Sequence, residues 1–441
     1  MIPLPEAFKN EITEMLGAEA PAFFAAMEAP PTLALRLNPL RAGAEAAARP
    51  YCGAAVPWEP TGRYLLSGAK PGASIAHAAG AFYLQEASAM LSAAALDSQP
   101  GERILDLCAA PGGKSTQLAG RMAGRGLLVA NEIEPARARV LASNLERLGV
   151  RNAVVVNARP DALAARLPEY FDALLCDAPC SGEGMFRREP AARSAWQSGS
   201  PAGCARRQAE ILDSAAALLR PGGRLVYSTC TFNRAENERT IAAFLARHPE
   251  FAPEDFALDG LGSSEGGMLR IWPQRVSGDG HFCARLRKAG DRRMPDPSFP
   301  RPDRETASAL ARLKAEICAL PDGLGARLLR LGDTVIAVPA ACPDLKGLRV
   351  VSAGVSLMRL GRSHIEPQHA LAMALTPSRA HQHAALADDD AARYLLGEAI
   401  ACDEDVRGWQ LMCWQGMPLG WAKASGGCYK NHLPKGLRRN I

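Results

Sequence analysis

Short apolar segments alternate with amphipathic ones between residues 101 and 228, and this alternation constrains the fold more than any other feature. The apolar segments are residues 104–108, 127–130, 153–156, 173–176 and 224–228. Strands that are apolar on both faces are typical of parallel sheets covered by helices. The sequence therefore predicts an α/β domain built on a parallel sheet.

Helical periodicity separates these segments and also precedes them. The helix predicted after the second strand ends at Gly149 and carries on one face Val140, Leu141, Leu145 and Leu148. Another helix is predicted over residues 205–219, before a Pro-Gly-Gly turn at 221–223. Closer to the start of the chain, the patterns predict a helix through Phe8, Ile12, Met15 and Leu16, a strand over 32–37 and a helix over 80–97.

The composition excludes several classes of protein. The 441 residues are 48% hydrophobic and 22% charged, as expected for a globular chain of several domains. No segment approaches the run of about 18 apolar residues that a membrane span needs. The first residues mix acids with a lysine instead of forming the apolar core of a signal peptide, so we expect a cytoplasmic protein. The net charge of +5 permits nucleic-acid binding without establishing it.

A glycine-containing loop follows the first predicted strand and opens a helix. Its residues are Cys108, Ala109, Ala110, Pro111, Gly112, Gly113 and Lys114. Such a turn at a helix start favours electronegative ligand groups, although it is neither a P-loop nor a G-x-G-x-x-G motif. Glu132 ends the second strand, where a carboxylate can accept hydrogen bonds from ribose hydroxyls. The loop is a candidate cofactor site, and the alternative is an ordinary strand–helix turn.

Cysteines follow two later strands. Asp177 and Cys180 come after the fourth strand, and Cys230 ends the fifth. Ligands of open α/β sheets bind at the carboxyl ends of the strands, so we expect these three side chains to converge beside the glycine loop. A thiol in such a cleft is a candidate nucleophile, whereas a single cysteine is more often a small buried apolar residue. We expect Cys176 and the other nine cysteines to be structural, and the 12 cysteines include no C-x-x-C pair, so no metal site is predicted.

These motifs resemble those of the Sun-family RNA cytosine-5 methyltransferases. The resemblance covers the three central motifs, residues 107–114, 177–187 and 227–238. It extends outward to residues 35–39, 77–80, 83–90 and 278–282. Towards the carboxyl terminus, residues 408–409, 418–421 and 430–438 resemble the PUA-like domain of the RsmF branch, which modifies small-subunit ribosomal RNA. The resemblance thus spans nearly the whole chain.

The resemblance implies a fold and a domain order. The expected α/β fold is a Rossmann-like class I methyltransferase core with a small α+β amino-terminal RNA-binding domain and a carboxy-terminal PUA-like region. The expected boundaries are 1–93 for the amino-terminal domain and 94–288 for the methyltransferase domain. They continue with a linker over 289–305, a first carboxy-terminal domain over 306–370 and the PUA-like domain over 371–441.

The resemblance also implies a reaction and its residues. The methyl group of S-adenosylmethionine would pass to C5 of cytosine in RNA, with Cys230 attacking C6, Cys180 assisting release and Asp177 contacting the base. The cofactor would lie on residues 108–114, Glu132 and Asp177. The implied partner is small-subunit ribosomal RNA or the subunit rather than transfer RNA, and we expect a monomer. The expected RNA-binding residues are Arg36, Asn38, Arg187, Lys430, Lys435 and Arg438.

One position departs from the pattern of the resembling family, and two other functions remain open. Arg159 stands where members often carry an acidic or hydroxyl side chain near the adenosine, and Asp161 is a candidate substitute. A DNA cytosine-5 methyltransferase would use the Pro-Cys at 179–180, but the second thiol and the flanking RNA-type regions favour RNA. A non-catalytic RNA-binding assembly factor would not need both cysteines and an intact cofactor loop.

Overall fold

The computed structural model describes residues 2–292, 295–299, 301–362 and 364–439. Residues 293, 294 and 300 of the expected linker lie outside the described residues, as do residues 1, 363, 440 and 441 of the expected domains. No helix in the described part of the chain is long and apolar enough to cross a membrane.

The amino-terminal region is a four-stranded antiparallel sheet with helices around it. Its helices are α1 (Glu6–Leu16), α2 (Ala20–Glu28), α3 (Ala44–Ala48) and α4 (Ile75–Ala78). Its strands are β1 (Ala34–Leu37), β2 (Cys52–Ala55), β3 (Gly62–Leu65) and β4 (Phe82–Leu84), in the order β2-β3-β1-β4. Helix α1 buries Phe8 and Ile12, which confirms the helix predicted from their spacing.

The central region alternates strands and helices as predicted. Its helices are α5 (Leu91–Leu96), α6 (Gly113–Met122), α7 (Pro135–Arg147), α8 (Pro160–Arg166), α9 (Pro190–Ala195), α10 (Ser200–Leu218) and α11 (Glu238–Arg247). Its strands are β5 (Arg103–Asp106), β6 (Leu127–Asn131), β7 (Ala153–Val156), β8 (Phe171–Asp177), β9 (Leu219–Thr229), β10 (Phe251–Pro253), β11 (Ala257–Leu258), β12 (Gly262–Ser263), β13 (Met268–Ile271) and β14 (His281–Lys288).

Most of these strands form one open sheet whose two faces are both covered. The strands β7, β6, β5, β8 and β9 are parallel neighbours in that order, and β14 pairs antiparallel with β9. Leu118 of α6 and Leu141 of α7 pack in the core on one face. Leu212 of α10 and Phe244 of α11 pack in the core on the other. The doubly covered parallel sheet predicted from the apolar segments is confirmed.

Several local predictions were wrong. Residues 80–97 are not one helix, because β4 must pair with β1 before the chain turns at Ser88–Met90 into the short helix α5. Val140 is 50% exposed, since the buried face of α7 is formed by Ala138, Leu141 and Leu145. The Pro-Gly-Gly segment lies inside β9, which already begins at Leu219.

The carboxy-terminal region contains two further sheets. Its helices are α12 (Arg304–Glu316), α13 (His369–Ala374) and α14 (Asp388–Leu396). The first sheet has the order β15-β16-β18-β19, with β15 (Leu328–Leu331), β16 (Thr334–Ala337), β18 (Val355–Leu360) and β19 (Ile365–Pro367). The second has the order β20-β22-β23-β24-β21, with β20 (His383–Leu386), β21 (Ile400–Ala401), β22 (Gly408–Trp414), β23 (Met417–Ser425) and β24 (Cys428–Asn431).

One strand of the carboxy-terminal region belongs to the central sheet. Strand β17 (Val350–Ser352) pairs antiparallel with β7, with Val350 opposite Val156. The backbone N–H of Asn157 continues the pairing by donating to the carbonyl of Arg349 at 2.8 Å. The central sheet is therefore completed by a segment from the next domain along the chain.

Candidate active site

The glycine-containing loop connects β5 to α6 at the carboxyl end of the sheet. The N–H of Ala109 donates to the carbonyl of Asn131 at 2.8 Å, which ties the loop to β6. Arg137 and Asn144 of α7 donate to the carbonyls of Ala110 and Pro111, each at 2.9 Å. These contacts fix the backbone from Cys108 to Lys114 at the place predicted for a cofactor.

Neighbouring side chains lie close to both glycines of the loop. Gly112 has φ +113°, a conformation that favours glycine, and a Cβ there would lie 3.1 Å from Leu141. A Cβ on Gly113 would lie 3.2 Å from the ring of Tyr83 and 3.4 Å from the amide carbon of Gln85. The sequence interpretation gave both glycines to close approach of a ligand, but the space on their Cβ side is filled by α7 and by residues at β4.

Glu132 lies directly after β6 and is 4% exposed. Its Oε1 accepts the N–H of Glu134 at 2.9 Å, and its Oε2 is 3.5 Å from Arg137 Nη1. Asn157, after β7, donates to the carbonyls of Glu132 and Ile133, each at 2.7 Å. A carboxylate held this way at the end of the second strand can accept hydrogen bonds from a ribose.

Asp106 is a buried carboxyl that the sequence interpretation missed. It ends β5, is fully buried, and accepts the hydroxyl of Ser115 through Oδ2 at 2.6 Å. Its Oδ1 has no hydrogen-bond partner among the described residues. Burial raises the pKa of Asp106 to about 7. The available signal was a charged residue inside the otherwise apolar segment 104–108, because such a residue needs a partner or a function.

Asp177 lies at the end of β8 and is surrounded by polar groups. Its Oδ2 accepts from Lys114 Nζ at 2.8 Å, and its Oδ1 accepts the Ser228 hydroxyl at 2.7 Å. His281 Nε2 lies 3.5 Å from Oδ1. Burial opposes the charged carboxylate, but Lys114 and His281 outweigh it and hold the pKa of Asp177 well below its usual range. Lys114 thus connects the cofactor loop to the predicted catalytic aspartate.

The two predicted catalytic cysteines are in contact. Cys180 Sγ and Cys230 Sγ are 3.4 Å apart, although 50 residues separate them in the chain. The N–H of Gly184 donates to the carbonyl of Cys230 at 2.8 Å, which joins the loops that carry the two thiols. The pKa of Cys180 is raised well above its ordinary value by the contact with Cys230 and by burial. Cys180 therefore keeps its proton while the two sulfurs are in contact.

Three of the residues expected to bind RNA already donate to groups of the protein itself. Arg36 is 1% exposed and donates to Gln85, Thr116 and the Gly113 carbonyl. Asn38 is 2% exposed and donates to the carbonyls of Gly80 and Leu148. Arg187 contacts Asp279 and the carbonyls of Ala29, Pro30 and Gly278. Donors already satisfied in the interior are not available to phosphates.

The remaining predicted positions are at the surface. Lys430, Lys435 and Arg438 are exposed. Arg159 and Asp161 form an exposed ion pair with each other at 3.1 Å, just beyond β7. All 12 cysteines are free, and Cys176 is buried in β8 as predicted. No group of three or more potential metal ligands occurs within the described ranges.

Four protein families match successive parts of the sequence. Residues 93–287 match the 16S rRNA methyltransferase RsmB/F family, and residues 4–87 match the N-terminal domain of 16S rRNA methyltransferase RsmF. Residues 314–375 match the RsmF rRNA methyltransferase first C-terminal domain, and residues 382–439 match the methyltransferase RsmF PUA domain. The four matched segments follow one another along the chain without overlap.

Similar proteins and solved structures agree with these matches. Ribosomal RNA small subunit methyltransferase F from Enterobacter sp. is 35% identical over 99% of this chain and 96% of its own length. The protein of the same name from Escherichia coli O157:H7 is 34% identical over 99% of this chain and 97% of its own length.

Among solved structures, a methyltransferase homolog protein from Pyrococcus horikoshii is 29% identical, with a TM-score of 0.56 over 65% of this chain and 96% of its own. NSun6 from the same organism, at 22% identity, has a TM-score of 0.57 over 65% of this chain and 99% of its own and shares the fold. The Rossmann-like methyltransferase core and the PUA-like region expected from the sequence are confirmed. The chain belongs to the 16S rRNA methyltransferase RsmB/F family and, within it, to the RsmF group.

Proposed function

We propose that this enzyme transfers a methyl group from S-adenosylmethionine to C5 of a cytosine in small-subunit ribosomal RNA, through a covalent bond between Cys230 and C6. The observation that carries this proposal is the pair of thiols 3.4 Å apart, beside Asp177 and the cofactor loop. Nucleophilic attack by itself needs only one cysteine. A covalent mechanism that also needs a base for product release uses both thiols.

The residues divide the reaction between them. The Cys230 thiolate attacks C6, which makes C5 nucleophilic enough to accept the methyl group. The ionised Asp177 accepts a hydrogen bond from the cytosine amino group, because its low pKa leaves it without a proton to donate. Once Cys230 is bonded to C6 it no longer raises the pKa of Cys180, and Cys180 gives its proton to water. The resulting Cys180 thiolate removes the C5 proton, the C5–H electron pair forms the C5=C6 bond, and the C6–S pair returns to Cys230. The base must leave its stack to reach this cleft.

The residues around the glycine loop fit S-adenosylmethionine, which supplies the methyl group when bound. The backbone of residues 108–114 would line the cofactor site. Glu132 would accept hydrogen bonds from ribose hydroxyls, and the unpartnered Oδ1 of Asp106 is a further buried oxygen at the end of β5. Lys114 holds Asp177 at the border between cofactor and base.

Substitution of Glu132 tests the cofactor assignment. We expect Glu132→Ala to weaken S-adenosylmethionine binding by about 1–3 kcal/mol, because ribose hydroxyls would lose their acceptor. Isothermal calorimetry on the folded protein measures this directly. The matched control is Glu134→Ala, which removes a neighbouring exposed carboxylate and should leave affinity unchanged. Equal affinity of Glu132→Ala and wild type would remove Glu132 from the ribose role.

Substitution of each cysteine tests the covalent mechanism. We expect Cys230→Ala to abolish both methylation and any covalent protein–RNA complex. Cys180→Ala should methylate once and then retain the RNA, so that a complex resistant to denaturing gel electrophoresis accumulates. The Cys180→Ala Cys230→Ala double variant should lose that complex.

The opposite pattern would show a different arrangement. If Cys230→Ala kept the complex and Cys180→Ala lost it, Cys180 would be the nucleophile, as in the DNA-type alternative. Cys204→Ala is the matched control, because Cys204 is a half-buried thiol on α10 outside the pair. Bisulfite sequencing of the ribosomal RNA identifies the methylated cytosine.

We further propose that the exposed cations of the carboxy-terminal region contact the RNA backbone, with the enzyme acting as a monomer. Lys430 lies on β24, and Lys435 and Arg438 lie at the turn beyond it. Exposed amines and guanidinium groups bind phosphates without reading sequence and position the substrate. We give phosphate contact to these exposed cations and not to Arg36, Asn38 and Arg187, whose donors are already engaged within the protein.

A further inference from the structure

Two buried carboxylates cross between the loops that carry the thiols. We call residues 178–184 the Cys180 loop and residues 230–237 the Cys230 loop. Glu183 of the Cys180 loop accepts the N–H groups of Phe232 at 2.8 Å and Asn233 at 3.0 Å. Glu236 of the Cys230 loop accepts the N–H of Ser181 at 2.9 Å and also its hydroxyl. Each carboxylate therefore binds the backbone of the loop that carries the other cysteine.

Side-chain amides join the two carboxylates to each other and to the proline turn. Asn233 Nδ2 donates to Glu183 Oε1 at 3.0 Å and to Glu236 Oε1 at 2.7 Å. Gln208 Nε2 on α10 donates to Glu236 Oε2 at 2.8 Å and to the carbonyl of Pro179, the residue before Cys180, at 3.1 Å. The sulfur of each thiol is thus held through backbone atoms within two or three residues of it.

This network is costly for a purely structural element. Glu183 and Glu236 are both fully buried, and they share Asn233 as a donor. Burying two neighbouring carboxylates costs several kcal/mol before hydrogen bonds offset it, and well-packed apolar residues could hold two loops together at lower cost. Apolar contacts do not fix the distance between particular backbone atoms. Directional hydrogen bonds to backbone N–H groups do fix it.

We propose that Glu183 and Glu236 are positioning residues, forming a reciprocal clamp that sets the distance between the two sulfurs and thereby governs release of methylated cytosine from Cys230. This inference rests on the proposed covalent mechanism. Attack on C6 needs Cys230 alone, whereas release needs the Cys180 sulfur within reach of the C5 proton of a base already bonded to Cys230. Loosening the clamp therefore impairs release more than methylation.

A thiol-bridging reagent measures the clamp without any turnover. Dibromobimane joins two thiols that are close together, and digestion followed by mass spectrometry counts the Cys180–Cys230 product among those of the other cysteines. We expect Glu183→Gln and Glu236→Gln to lower the yield of this product several-fold. A carboxylate accepts hydrogen bonds through both oxygens, whereas the amide of glutamine replaces one oxygen by an NH2 group that faces the N–H donors of the opposite loop. Glu210→Gln, an exposed change on α10, is the matched control and should match wild type.

Kinetics test the functional half of the proposal. In single-turnover conditions we expect the clamp variants to methylate RNA at close to the wild-type rate but to release it about tenfold to a hundredfold more slowly, since a displacement near 1 Å has effects of this size. The covalent complex should then accumulate on denaturing gels. Unchanged bridging, or reduced bridging with normal release, would overturn the proposal.

Two further comparisons keep the outcome unambiguous. Ser181→Ala removes one hydroxyl from Glu236 while keeping both carboxylates, so a milder loss of bridging and slower release are expected even if the Glu→Gln variants fail to fold. Wild-type bridging and release in that variant would then overturn the clamp. Absence of any covalent complex in Cys180→Ala would instead contradict the proposed mechanism, independently of the clamp.

Discussion

The pKa values and contacts of several ionisable side chains in this enzyme depend more on burial than on residue type. Arg36 was expected to grip phosphates, yet it is buried and burial lowers its pKa to about 10. Burial, Arg147 and Arg439 together lower the pKa of His77 to about 3, so His77 is neutral at pH 7 whereas Arg36 stays charged. In each case a group that usually faces water supports the junction between domains.

The titration of His77 gives a prediction for stability against pH. A histidine in the unfolded chain titrates near 6.5, so below that pH the unfolded state gains a proton that the folded state does not. Stability therefore falls as pH drops from 6.5 towards about 3. Between pH 6.5 and 5, we expect His77→Gln to lose less stability than wild type, by about 1–2 kcal/mol. Denaturant titrations at each pH measure the difference.

The comparison needs a histidine change that does not touch the junction. His383→Gln alters an exposed histidine at the start of β20 and should follow the wild-type curve. A His77→Gln protein whose stability falls in parallel with wild type would show that His77 is protonated equally in both states.

The sequence predicted well those helices and strands whose hydrophobic pattern is set by the packing of their own side chains. The segment 153–156 is apolar on both faces because helices cover both, and it coincides with β7. The helix expected over residues 80–97 failed because β4 is defined by pairing with β1, and that pairing leaves no periodic signal in so short a strand. Likewise, the carboxyl-end positions of Asp177, Cys180 and Cys230 followed from the sheet. His281 comes from a distant segment, and Glu183 and Glu236 each bind the loop of the other cysteine, so sequence proximity could not show these contacts.

At the scale of the whole molecule, the domains share cores instead of meeting at thin interfaces. Leu35 and Phe82 of the amino-terminal sheet pack in one apolar cluster with Tyr394 and Trp414 of the PUA-like region. Leu313 of α12 shares a cluster with Leu411 and Trp421 of the PUA-like sheet. Regions on opposite sides of the expected domain boundaries therefore share buried apolar residues.

The strand that β17 adds to the central sheet gives a second prediction. Val351→Pro removes the N–H at the register shift between Val350 and Ser352 and fixes φ there, which disfavours the pairing of β17 with β7. We expect faster amide hydrogen exchange in residues 154–157, while Ile104 and Leu105 in the central strand β5 keep their protection. Val351→Ala, which keeps the N–H group, is the control. Unchanged exchange along β7 in the proline variant would show that β17 does not protect that edge.

The pairing of β17 with β7 can form only late in the synthesis of the enzyme. Val156 of β7 leaves the ribosome about 200 residues before its partner segment at Val350. At roughly 5–20 residues per second, translation of that interval takes on the order of ten to forty seconds. During this time the edge of the catalytic sheet offers unpaired N–H and C=O groups to any extended segment nearby. The central sheet thus reaches its final number of strands only after the linker and most of the first carboxy-terminal domain have been made.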